Sequence, residues 1–130
     1  MQAGNLLVPR SNAMETDEAR MLANILLEHH RYLRGHLWLT PDTVQPKHML
    51  PYGELCTRAG LGYLTHGVGH FLGQVACWCV SKGLPPLNSL AVNAQTKMPD
   101  DGYYAAAASH LNWWTDVQAC IACSKYPQQV

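Results

Sequence analysis

Apolar residues recur in steps of three and four along Thr16–Arg34, and this spacing predicts an amphipathic helix. Thr16 suits the N-cap position, acidic residues fill the first turn, and Gly35 follows the last turn. We expect one buried stripe on this helix, made of Met21, Leu22, Ile25, Leu26, His29, Tyr32 and Leu33. Through this stripe the helix would pack across the helical pair that follows it in the chain.

A short helix, a glycine turn and a longer helix follow one another in the middle of the chain. The short helix begins near Pro51 and buries Leu55 and Ala59, which lie four residues apart. After the glycines of residues 60–62, the longer helix spans Thr65–Gly83, with Thr65 as its N-cap. Its apolar stripe consists of Val68, Leu72, Val75, Ala76 and Cys79. This order predicts a helix-turn-helix unit.

Extended structure is predicted behind the longer helix. Asn88–Asn93 has the short apolar centre of a strand, and Thr96–Gly102 is rich in turn formers. Tyr103 and Tyr104 would return as a second short strand, so we expect a β-hairpin wing. Residues 36–46 are either a first strand that pairs with this wing or a loop held by its tryptophan.

The alanine-rich segment Ala105–Tyr126 predicts a last helix, on which the adjacent Trp113 and Trp114 diverge by about 100°. The predicted fold class is therefore α+β and mostly α. It consists of a helix-turn-helix, winged-helix-like core with an N-terminal helix, a short β-hairpin and a C-terminal helix. We expect a single domain over residues 14–130.

Residues 1–13 contain LVPR, which resembles a thrombin cleavage sequence, and SNA before Met14 resembles a cloning scar. We expect residues 1–13 to be a tag, with a disordered natural leader as the alternative. They lack the basic and apolar regions of a signal peptide, and the chain lacks a run of eighteen apolar residues. The sequence thus predicts a cytoplasmic protein without a membrane partner.

Several short motifs occur in a recognisable order. Tyr52–Leu55 (YGEL) is followed by Val68 and Gly69, then by Pro86, and then by Gly102–Tyr103. This order resembles the DNA-binding winged-helix domain of methylated-DNA–protein cysteine alkyltransferases, in which a TYG-type helix precedes an RAVG helix, a PCHRV strand and a GY turn. The resemblance covers about half of the chain and implies a winged-helix fold that contacts DNA. The YGEL…GLPPLNSLAVN pattern is also similar to a group of small uncharacterised bacterial and phage proteins.

The chain departs from this family where the family's chemistry takes place. The nucleophilic cysteine follows the proline of the strand, and Leu87 stands at that position here. Asn88 and Ser89 replace the histidine and arginine of PCHRV. The chain therefore resembles alkyltransferase-like proteins that lack the nucleophile, and we expect no alkyl transfer.

Charge is balanced over the whole chain but not along it. The net charge is zero, which disfavours strong non-specific binding to DNA. In residues 47–97, four basic residues stand against Glu54 alone, a balance of +3. The predicted helix-turn-helix is therefore the basic part of a neutral protein.

The five cysteines predict reduced thiols that are buried as small apolar groups, with a zinc site as the alternative. Cys120 and Cys123 form one close pair without a matching second pair. His66 and His70 lie four residues apart, but HGVGH lacks the glutamate of HExxH. The sequence also shows no nucleophile–base pair. We therefore expect no cofactor and no enzymatic activity.

Two functions remain as predictions from the sequence. The first is a non-enzymatic DNA-binding or DNA-associated winged-helix-like module with a regulatory role and duplex DNA as its partner. Its predicted contact residues are Arg58, Thr65, His66, His70, Lys82 and Lys97. The alternative is a protein-interaction accessory module of phage or mobile-element origin, without nucleic-acid contact. Its predicted contact surface is Tyr103, Tyr104, Trp113 and Trp114.

Overall fold

The fold is taken from a computed structural model, which describes residues 14–64, 66–100, 103 and 112–130. The predicted leader and two predicted contact residues, Thr65 and Tyr104, lie outside these residues. The described helices are α1 (Asp17–Arg34), α2 (Tyr52–Arg58), α3 (Val68–Ser81) and α4 (Trp113–Ala122). The described strands are β1 (Leu50–Pro51) and β2 (Ala91–Val92), and short 3-10 helices cover Pro46–His48, Gly62–Leu64 and Leu87–Leu90. The predicted α+β, mostly helical class is confirmed.

The first helix begins and ends as predicted. The Thr16 side chain accepts a hydrogen bond from the backbone N–H of Ala19, and Gly35 caps the C-terminal end. The predicted buried stripe is only partly right, since Met21 and Tyr32 are exposed. Helix α3, the 87–90 turn and α4 all pack on α1, so its buried face is broader than a single stripe. The residues that the prediction missed are Ala19, Ala23, Leu27 and His30.

The second and third helices follow the predicted order with a longer connection. Every residue of the predicted α3 stripe is buried, and Gly83 takes a positive φ of 68° after the helix. Gly60 takes a φ of 75° after α2, a conformation that costs glycine little. The connection from Ala59 to Gly67 contains a 3-10 helix and exceeds the turn of 3–4 residues that is usual in helix-turn-helix units.

The predicted β-hairpin is wrong for the described residues. Strand β2 pairs in parallel with β1, with Leu50 opposite Ala91 and Pro51 opposite Val92. The chain crosses between the two strands through α2 and α3, as a parallel pair requires. Tyr103 has helical backbone geometry. Residues 36–45 form a loop, which is the alternative that the sequence offered to a strand, and Pro46 begins a 3-10 helix.

The C-terminal helix is described from Trp113, and the predicted part over residues 105–111 lies outside the described residues. The Asn112 side chain caps α4 by accepting from the backbone N–H of Thr115. Residues 123–130 then run along α1, where the Asn24 side chain bonds both backbone groups of Val130. Within the described part of the chain, each helix is too short or too polar to cross a membrane.

Candidate functional site

Helix α3, the longer helix of the predicted helix-turn-helix unit, contains no fully charged side chain. His66 and His70 are both exposed, with His70 on α3 and His66 just before it. Between Val68 and Ser81 the sequence contains no lysine, arginine, aspartate or glutamate. Because duplex binding depends largely on cations that meet phosphates, α3 alone offers little to a DNA backbone.

Two of the predicted DNA-contacting residues, Arg58 and Lys82, differ in their surroundings. The Arg58 guanidinium lies 2.5 Å from Glu28 of α1 and 3.9 Å from Glu54, so it joins α2 to α1. Lys82 is exposed at the C-terminal end of α3, whose 14 residues span about 21 Å. Lys82 and His66 thus lie at opposite ends of the helix.

Two of the four residues predicted as a protein-contact surface, Tyr103 and Trp113, are buried. The Tyr103 hydroxyl donates to the buried Asp116, and Trp113 Nε1 donates to the Ser89 carbonyl over 2.9 Å. Trp114 is partly buried and packs edge-on against Trp113, with ring centroids 5.2 Å apart. The Tyr103 and Trp113 rings belong to the core, because their polar atoms are paired inside the fold.

Aromatic and imidazole rings meet in a groove between the C-terminal half of α1, the 36–48 loop and β1. Successive ring centroids are 6.0, 4.8, 5.4 and 5.6 Å apart along the series His29, Tyr32, His36, Trp38 and His48. We call this the ring groove; it encloses about 340 Å³. Tyr32 and Trp38 are 62% and 60% exposed, so both offer ring faces to a ligand.

Charged groups stand at the edge of the ring groove. Lys47, Lys97 and Glu54 line it together with the rings. Lys97 has a positive φ of 61°, and its backbone N–H donates to the Asn93 carbonyl over 2.9 Å. Of the predicted DNA-contacting residues in the described part of the chain, Lys97 is the one that lines this groove.

Hydrogen bonds fix two of the groove imidazoles. His29 Nε2 lies 2.8 Å from the His48 carbonyl, which can only accept, so this nitrogen donates. His48 Nδ1 accepts the backbone N–H of Gln45 over 2.9 Å. Burial lowers the pKa of His29, and burial together with the nearby Lys47 and His36 lowers the pKa of His48. Near neutral pH both rings are therefore uncharged surfaces for packing.

Sequence reasoning missed this groove, although part of its signal is local. His29, Tyr32 and His36 follow helical spacing at the end of α1, and Trp38 comes two residues later. The same spacing predicts that Tyr32 and His29 belong to the buried stripe of α1. The sequence does not show that the loop after Trp38 folds back, and this folding brings the His48 ring to Trp38.

A second, smaller cavity lies where the sequence motifs converge. It encloses about 40 Å³ and is lined by Tyr52, Val68, Gly69, Leu72, Gly73, Asn88, Asp100 and Tyr103. Tyr52, Gly69 and Tyr103 belong to the motifs that carry the family resemblance. The Tyr52 hydroxyl accepts the backbone N–H of Asp100 over 3.0 Å. Leu87, at the position of the family's nucleophile, is fully buried.

The described cysteines and histidines offer neither a reactive thiol pair nor a metal centre. Burial raises the pKa of Cys79 and of Cys120 to about 12, so both thiols stay protonated. Cys120 is also held by the Pro86 carbonyl and the Ser89 hydroxyl, 3.2 and 3.3 Å away. Among the residues that the structure describes, three or more histidine, cysteine, aspartate or glutamate side chains nowhere come together as a metal site needs.

The ring groove thus combines exposed rings with cations, and the smaller cavity combines a buried amide with a carboxylate at its edge. Exposed rings beside cations suit stacking and charge contacts, and a buried amide oxygen suits a hydrogen-bond donor. No family model, curated protein or solved structure matches the chain.

Proposed function

We propose that this chain is a non-enzymatic nucleic-acid-binding module, and that its ring groove binds single-stranded nucleic acid. The observation that supports this is the continuous ring series, whose exposed Tyr32 and Trp38 adjoin Lys47 and Lys97. Bases stack on aromatic rings irrespective of sequence, while lysines neutralise the phosphates between them. The histidines fix the spacing of the two exposed rings.

Single-stranded binding fits the charge distribution better than duplex readout by α3. Duplex readout needs base contacts from one helix and phosphate contacts around it. Here α3 lacks charged residues, and Arg58 is paired with Glu28. The binding surface in this proposal is therefore the ring groove beside β1 and not α3.

The test is the affinity of the purified chain for a labelled oligothymidylate, measured by fluorescence anisotropy. Loss of a stacked base costs about 1–3 kcal/mol, so Trp38→Ala and Tyr32→Ala should each weaken binding on the order of 5- to 150-fold. The matched control is Tyr63→Ala, which removes a ring that is 74% exposed and lies outside the groove. Circular dichroism should show that all three variants keep the fold.

The same titration with a DNA duplex of equal length provides the comparison with single-stranded binding. The proposal expects weaker binding of the duplex than of the single strand. Undiminished single-strand binding by Trp38→Ala would refute the groove as the site. Tighter duplex binding that is lost in His66→Ala would replace this proposal with readout by α3.

A further inference from the structure

The small cavity beside α3 contains a polar atom that the fold does not use. Asn88 is only 4% exposed, and its Oδ1 has no hydrogen-bond partner among the described residues. A buried acceptor without a partner is uncommon in proteins and destabilises the fold. Asn88 itself lines the cavity, so a donor placed there would supply the missing bond.

The remaining lining defines which donor fits. Val68, Leu72 and the two glycines of α3 give apolar walls. The exposed Asp100 brings a carboxylate to the rim, where its Oδ1 also accepts from Asn93 Nδ2 over 3.4 Å. None of the described lining residues carries a positive charge to neutralise it. The volume of about 40 Å³ exceeds the ~10–15 Å³ that one water molecule needs, but is too small for an aromatic base.

We propose that this cavity binds the terminal ammonium group of a primary alkylamine. Asn88 Oδ1 accepts one ammonium N–H, the Asp100 carboxylate supplies the opposite charge, and the apolar walls contact the first methylenes. The site is separate from the ring groove and does not depend on the proposed nucleic-acid binding. The ligand chemistry is that of a lysine side chain or of a free polyamine.

Gly69 lines the cavity without a side chain, so in this proposal the alkyl stem passes beside it. It lies inside α3, where alanine is the better helix former. A methyl group built on Gly69 would meet no described atom within 4 Å, so the backbone tolerates alanine there. Gly69→Ala therefore keeps the fold, or strengthens it, while it narrows the cavity.

The test is a titration of the ¹⁵N-labelled chain with n-butylammonium, followed by amide chemical shifts around Asn88 and Gly69. We expect saturable shifts, and weaker shifts with n-butanol and tetramethylammonium, which lack the charge and the N–H donors respectively. Because a hydrogen bond to a charged group is strong, Asn88→Leu should raise the Kd on the order of tenfold or more. Gly69→Ala should raise it as well.

Gly53→Ala is the matched control, since it adds a methyl group to α2 in open space outside the cavity. Its affinity should equal that of the wild type. Equal binding of butanol, or unchanged binding in both Asn88→Leu and Gly69→Ala, would overturn the proposal. So would the absence of saturable shifts combined with a lower melting temperature for Asn88→Leu, because Asn88 would then serve an ordered water alone. Putrescine and Nα-acetyl-lysine methylamide, compared at equal concentration, distinguish a polyamine from a lysine side chain.

Discussion

Two adjacent histidines show how single residues tie α1 to both sides of the molecule. His29 donates to the His48 carbonyl and His30 to the Cys120 carbonyl, each over 2.8 Å. A carbonyl cannot donate, so both imidazoles carry their proton on Nε2. Burial lowers the pKa of both rings, and the backbone hydrogen bonds offset this only in part. The folded protein therefore favours the neutral form of both histidines.

This preference predicts loss of stability in acid. With a folded-state pKa below the ordinary 6.5, each ring takes up a proton more readily in the unfolded chain. The free energy of unfolding should be level above pH 7 and fall below pH 6.5, by at most about 1.4 kcal/mol per pH unit for each histidine. Urea unfolding at pH 7.5, 6.5 and 5.5 measures this fall.

The variant that separates this effect from general acid unfolding is His30→Gln, which keeps an N–H donor without the titration. Its stability should fall less steeply below pH 6.5 than that of the wild type. His66→Gln, at an exposed position, should follow the wild-type curve. Three parallel curves would show that the buried imidazoles do not cause the acid response.

At the scale of elements, the sequence predicts what is determined locally. The ends of α1 and α3 are specified by Thr16 and Gly83, which act on their own helix termini. Strand pairing is different, because β1 and β2 are two residues long and have no periodicity to read. The turn residues after Asn93 suggest a hairpin. Instead, β2 lies beside Leu50, because α2 and α3 cross between the two strands and pack in the core.

The N-cap of α1 also acts beyond its own helix. The Thr16 hydroxyl accepts from the Ala19 N–H and donates to Gln74 Oε1 of α3 over 2.9 Å. Thr16→Ala should therefore lower the free energy of unfolding by about 1–2 kcal/mol, the upper part of the range for lost N-caps. Chemical denaturation measures it, and Thr57→Ala, at an exposed position in α2, is the control.

A double-mutant cycle with Gln74→Ala isolates the contact between the helices. We expect a coupling of about 0.5–1 kcal/mol between the two substitutions, since the side chains share a partly buried hydrogen bond. Strict additivity would mean that Thr16 stabilises only its own helix.

The candidate site was harder to predict than the helices for the same reason. Residue types along 29–48 indicate rings and cations, but only the folded loop brings His48 to Trp38. Conversely, Tyr103 and Trp113 looked suited to an interaction surface because composition does not distinguish a surface ring from a buried one. Their hydrogen bonds to Asp116 and Ser89 place them in the core.

Across the whole molecule, many of the arginines are already engaged within the fold. Arg20 pairs with Asp17 and Arg58 with Glu28. The guanidinium groups of Arg31 and Arg34 donate to the backbone carbonyls of Gln128 and Ile121. The neutral net charge thus hides an uneven distribution, in which the two lysines of the ring groove lie beside exposed rings.

This distribution predicts weak salt dependence for a nucleic-acid-binding protein. If Lys47 and Lys97 each neutralise one phosphate, the slope of log K against log salt should be roughly −1.4 for a single strand, because each contact contributes about −0.7. Lys97→Ala should halve this slope, whereas Lys82→Ala, at the far end of α3, should leave it unchanged. Anisotropy titrations at four salt concentrations measure all three slopes.

A wild-type slope steeper than about −3, with an equal reduction in the two lysine variants, would indicate a broad basic surface. Stacking on Tyr32 and Trp38 would then be secondary, since stacking energy does not depend on released counterions.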